Sequence, residues 1–156
     1  MLKSILVAVA LCGLPLRAQD TPQRPATLES AVARSIEILL DVQEGEAKDQ
    51  WPYEGVYRYP RREIPIGYRC GGTSIAATAL LETPGHDSDP RRLAAVERAT
   101  RFVLSCLEHP LLSSDFRGTY DVRGWGHAYA LTFLLKVRAH GGLQEDLATR
   151  IERAVD

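Results

Sequence analysis

The sequence predicts an all-α protein made of helix pairs in two layers. Three observations carry this. Amphipathic segments alternate along the chain with segments of similar length that hold almost no charge. Both kinds recur, at offsets of 54 to 64 residues. The composition, 45% apolar and 25% charged, is that of a globular chain and excludes a collagen, a disordered chain and a polytopic membrane protein. At 156 residues one domain is expected. A net charge of −1 gives no electrostatic reason for a nucleic-acid or anionic-membrane partner. Three cysteines are too few for a disulfide framework.

The first element is a signal peptide, residues 1–18. Lys3 supplies a positive charge, Ile5 to Leu11 is an unbroken apolar run, and Ala18 offers a small residue for cleavage. The run is too short to span a bilayer, so export without stable membrane insertion is expected. Residues 19–26, with Pro22 and Pro25, read as a linker.

The repeat domain covers residues 27–156. From Leu28 to Gln43 the apolar residues Leu28, Val32, Ile36 and Leu39 recur at helical spacing, and Arg34, Glu37 and Asp41 mark a wet face. Thr27 is the expected N-cap, but Ser30 stands where a capping box wants Glu or Gln. Thr73 to Leu81 has no charge and Gly124 to Leu135 has only His127, so both are expected to be buried on all sides, Ala76, Ala79 and Leu131 included. Asp87-Ser88-Asp89-Pro90 between them reads as a turn and helix start. Leu93 to Leu107 repeats the amphipathic design, with Leu93, Val96, Thr100, Val103 and Leu107 inward and Arg98 and Arg101 outward. Leu143, Leu147, Ile151 and Val155 begin a third amphipathic helix.

The segments match one another. Ala31-Val32-Ala33-Arg34 aligns with Ala95-Val96-Glu97-Arg98 at an offset of 64, and Ile151-Glu152-Arg153-Ala154 with Val96 to Ala99 at 55. Gly72, Ala76, Thr78, Leu80 and Leu81 fall on Gly126, Ala130, Thr132, Leu134 and Leu135 at 54. A helix pair per period is the mark of a helical array or closed α/α barrel. Repeat one is 27–90, repeat two 91–142, and repeat three starts at 143–156, giving about two and a half pairs of an incomplete ring. The chain reads as part of a longer array, so the inner face of the last helix, Leu147 and Ile151, is expected to lack its partner.

The amphipathic segments resemble the QW repeat of squalene cyclases and prenyltransferases. Arg34-Ser35, Ile38-Leu39, Gln43 and Trp51 keep that pattern, with Gln50 in place of the Gly. Arg98-Ala99, Phe102-Val103 and Gly118-Thr119-Tyr120 keep it again, with Leu107 in place of the Gln. The resemblance implies an α/α toroid, in which the Gln caps helix ends and the aromatic packs between repeats. It implies no activity, because the cyclase acid tetrad and the prenyltransferase zinc set are missing. Cys70, Cys106 and His127 lack the ligand-pair spacing of a zinc site. No metal and no cofactor is expected.

A site is expected where the inner helices begin. Nine of the eleven aromatic residues lie in 51–68 and 116–129, beside Glu54, Arg58, Arg69, Asp121 and Arg123. The candidate binding residues are Trp51, Tyr53, Tyr57, Arg69, Arg123, Trp125 and Tyr129. His127, Asp121 and Glu54 are the candidate acid–base groups. The same residues also suit aromatic packing and buried ion pairs between repeats. Two function classes follow: an exported toroid enzyme acting in a central cavity on an isoprenoid-like substrate or, lyase- or hydrolase-like, on a carbohydrate, or a non-catalytic toroid binding scaffold. The mixture of Arg, Asp and aromatic groups favours a carbohydrate or other small-molecule ligand. Cys70 and Cys106 are expected to share one end of the layers, either bridged or as free buried thiols.

Overall fold

The computed structural model describes residues 27–53, 64–118, 122–142 and 144–156. The expected signal peptide and linker, Glu54, Tyr57, Asp121 and Leu143 lie outside them. The described residues form five α-helices: α1 (Leu28–Asp41), α2 (Ile66–Glu82), α3 (Pro90–Leu107), α4 (Arg123–His140) and α5 (Glu145–Val155). Single 3-10 turns at His86–Ser88 and Pro110–Leu112 precede α3 and follow it. The described residues contain no strand, only an isolated bridge between Glu44 and Gln50.

The helices fall into two rows. α2 and α4 make the most extensive contact. α1, α3 and α5 form the second row, with α3 touching both of its neighbours. The core between the rows is built from Leu80, Ala99, Val103, Ala130, Phe133 and Leu134, all fully buried.

Each helix boundary has a local cause. Thr27 caps α1 more fully than the missing Glu suggests. Its Oγ1 accepts from the Ser30 backbone N–H at 3.1 Å, and Ser30 Oγ accepts from the Thr27 N–H at 3.0 Å. A hydroxyl therefore closes the box that a longer acid usually closes. Asp89 caps α3 by accepting from Arg91 and Arg92, with Pro90 in the first turn, as the sequence suggested. The uncharged helices are longer than their charge-free cores, since α2 begins at Ile66 and takes in Gly67, Gly71 and Gly72.

Those glycines stay helical because the crossing requires them. A Cβ on Gly71 would lie 2.2 Å from the Trp125 ring, and one on Gly126 would lie 3.1 Å from Gly67 Cα. A Cβ on Gly72 would meet the Trp51 and Tyr53 backbone at 2.6 Å. Glycine in a helix interior costs about 1 kcal/mol relative to Ala, and here the close approach of helix, ring and strap offsets it.

Four expectations are corrected. α2 and α4 are not covered on all sides: Ile75, Leu131 and Leu135 are 43%, 45% and 37% exposed, Ala79 is exposed and Ala76 half-buried. Each is covered by the other and by the second row, which leaves a third, uncharged face open. α1 is only partly covered, with Leu28 and Val32 exposed while Ile36 and Leu39 pack on the core. Leu93 is also exposed; Ala95, Val96 and Ala99 form the buried face of α3. Leu147 and Ile151, expected to lack a partner, are buried where α5 packs against α3 and α4.

One buried cation was not anticipated. Arg92, 3% exposed, turns back over the end of α2. Its Nε donates to Leu80 O and its Nη1 to Pro84 O, both at 3.1 Å, and Nη2 donates to Leu80 O and Thr83 O. It satisfies carbonyls that a helix end leaves without partners. The periodicity of α3 cannot show this, because the partners lie in the last turn of α2 and the connector after it.

Candidate functional site: an aromatic platform

Four rings meet where α2 and α4 begin. Tyr53 arrives on the strap after Trp51, held by its N–H to Tyr68 O at 3.2 Å. Tyr68 lies in the first turn of α2, and Trp125 and Tyr129 lie one turn apart on α4. Ring centroids are 5.5 Å apart for Tyr53–Tyr68, 5.3 Å for Tyr68–Trp125, 6.0 Å for Tyr53–Trp125 and 5.0 Å for Trp125–Tyr129. Most of the pairs are edge-on, the arrangement ring quadrupoles favour. The Trp125 ring reaches this position because Gly71 has no side chain.

The platform is open to solvent. Tyr53 is 54% and Tyr129 40% exposed. Isolated exposed apolar residues are ordinary, but a cluster of large rings makes a candidate binding surface.

Other residues expected in the site take structural positions. Trp51 is buried; its indole N–H donates to Leu39 O at 2.7 Å and its backbone N–H to Thr73 Oγ1 at 2.9 Å. Arg69 donates from Nε to Gln50 Oε1 at 2.8 Å and stacks 5.3 Å above the Phe102 ring. Arg123 ties the connector before α4, donating to Ser113 O and Phe116 O and lying 5.1 Å over the Phe116 ring. His127 is two residues from Trp125, so helical geometry turns it to another flank. There its Nε2 lies 2.8 Å from Leu112 O, beside a cleft of about 430 Å³ lined by Leu104, Leu107, Arg150 and Arg153. The structure thus separates His127 from the platform that holds Tyr53, Trp125 and Tyr129. Among the described residues no cluster of His, Cys, Asp and Glu is arranged to hold a metal ion.

A second cavity, of about 380 Å³, opens at the other end of α2 and α4 beside His86, Asp87, His140, Gly141 and Gln144. The His86 and His140 rings meet edge-on at 5.7 Å. His86 is buried, and among the described residues its Nδ1 has no hydrogen-bond partner. Burial and the nearby Arg92 hold its pKa below the ordinary histidine value.

Polar side chains also tie the connector after α1 to α3. Gln43, 2% exposed, donates from Nε2 to Ala95 O at 3.2 Å and accepts from Arg98 Nη2 at 2.8 Å. Arg98 Nε also donates to Lys48 O at 2.7 Å. Gln43 and Trp51 therefore both bond to helix carbonyls, Ala95 O of α3 and Leu39 O of α1. None of the described helices is long and apolar enough to cross a membrane. No family model, curated protein or solved structure matches the chain.

Proposed function

We propose that this chain is an exported α/α-toroid repeat domain that binds a carbohydrate on the Tyr53–Tyr68–Trp125–Tyr129 platform. The observation that carries the reading is the platform itself: Tyr53, Tyr68 and Trp125 in mutual contact, Tyr129 against Trp125, and Tyr53 and Tyr129 open to water. Sugar rings present apolar C–H faces that pack on aromatic faces, and hydroxyls that tyrosine hydroxyls and water can meet. A long isoprenoid would instead need an enclosed apolar pocket to leave water. The two rows of helices and the Gln43 and Trp51 contacts support the toroid reading. Binding is favoured over catalysis because His127 faces away from the platform, bonded to a backbone carbonyl.

The two tryptophans make the test direct. Trp51 is buried, so a ligand on the platform should alter the emission of Trp125. Titration with neutral oligosaccharides, oligouronates and isoprenoid alcohols should give saturable changes with one sugar class. Tyr129→Ala and Tyr53→Ala should each weaken binding by about fivefold to tenfold. Saturation only by the isoprenoid, or by none of the three, would overturn the carbohydrate reading. Product formed from the bound sugar would replace binding with catalysis.

A further inference from the structure

We propose that Cys70 and Cys106 are oxidised to a disulfide that joins α2 to α3 across the two rows. The contact of Arg69 with the Phe102 ring sets the start of α2 beside the end of α3. Cys70 follows Arg69 directly, and Cys106 stands one turn beyond Phe102. Both thiols are buried in the core, 0% and 1% exposed. The Cys70 thiol beside it, together with burial, pushes the Cys106 thiol far above its ordinary range. Cys70 Sγ also lies 3.9 Å from Gly126 O, so its side chain is held between α3 and α4. Among the described residues no metal-binding cluster claims either sulfur.

The electron acceptor is a disulfide-bonded oxidant, such as a dithiol oxidoreductase or glutathione disulfide. One cysteine gives up its proton and attacks the oxidant, forming a mixed disulfide and releasing the first oxidant thiol. The second cysteine loses its proton and attacks the mixed disulfide. The Cys70–Cys106 bond forms and the second oxidant thiol leaves. Two protons and two electrons pass to the oxidant. Burial and the raised Cys106 pKa make both sulfurs poor nucleophiles in the closed core, so exchange belongs to folding, before the rows meet. Once formed, the bond is shielded from reductants for the same reason.

Refolding the full chain in a glutathione redox pair tests this. A tryptic map should show Cys70 and Cys106 in one cross-linked peptide, and intact mass should fall by two hydrogens. Cys12 in that bond instead would overturn the proposal, as would alkylation of both Cys70 and Cys106 after denaturation. Reduction should lower the Tm by on the order of 10 °C. The Cys70→Ala/Cys106→Ala variant should melt near the reduced protein and ignore reductant. A wild-type melt indifferent to reductant would also overturn the bond.

Discussion

Arg98 reaches from the middle of α3 to the Gln43 carboxamide at 2.8 Å, and the same carboxamide donates to Ala95 O. One buried amide thus links the end of the first second-row helix to the next. Repeat spacing puts Leu107 and Arg153 in the corresponding places at the following junction. Both line the same cleft, but leucine offers nothing for an arginine to bond.

Removing Gln43 should therefore cost more than its exposed neighbours suggest. Gln43→Ala should destabilise by about 1–3 kcal/mol, because it leaves a cavity and removes a buried acceptor. A urea-denaturation cycle with Arg98→Ala should give a coupling of about 1 kcal/mol. Additive single effects would show that the two groups stabilise separately.

Arg92→Met should be among the costliest single changes, by roughly 3 kcal/mol. It keeps the unbranched stem but removes the guanidinium, leaving Leu80 O, Thr83 O and Pro84 O without that donor. Equilibrium unfolding in urea measures it. A loss below about 1 kcal/mol would mean that water replaces the guanidinium without difficulty.

Gly71→Ala should push Trp125 off its seat, since the added Cβ would lie 2.2 Å from the ring. The expected results are a shifted Trp emission, a stability loss of about 1–3 kcal/mol and weaker ligand binding. Gly124→Ala is the control, because no heavy atom lies within 4 Å of its added Cβ. Equal effects at both sites would remove the glycine contact as the cause.

Stability should fall on mild acidification. The folded state holds the pKa of His86 below the ordinary value of 6.5 through burial and Arg92, against the raising effect of Asp87 and Asp89. The unfolded chain then binds more protons, so the contribution is complete above about 6.5 and is lost as pH drops toward the folded pKa. Urea midpoints measured across that window should decline, and His86→Gln should flatten the slope. An unchanged slope would place the titration elsewhere.

The helices were legible because periodicity and charge-free segments are local properties of the chain. The open third face of α2 and α4 was not, because a lack of charge permits burial without requiring it. Ile75 and Leu131 are uncharged and exposed all the same. The platform was legible as aromatic residues crowded near Tyr53 and Trp125. Its membership needed coordinates: Trp51 turns inward to Leu39 O, and His127 sits on another flank of α4. The start of α2 at Ile66 was not legible either, because glycine disfavours helices, and only the approach of Trp125 and the Tyr53 strap explains Gly71 and Gly72.

The grip of Arg92 on the end of α2 also bears on the order of assembly. Its partners lie only 8 to 12 residues away in sequence. The Gln43 contacts span 52 and 55 residues, and the Lys136–Glu82 ion pair spans 54. Short loops close first because they forfeit less chain entropy, so the α2–α3 hairpin is the natural nucleus. Arg92→Met should then slow refolding, whereas Gln43→Ala should chiefly hasten unfolding. The rows would form as a hairpin that later recruits α1 and α4, rather than as repeats docking ready-made.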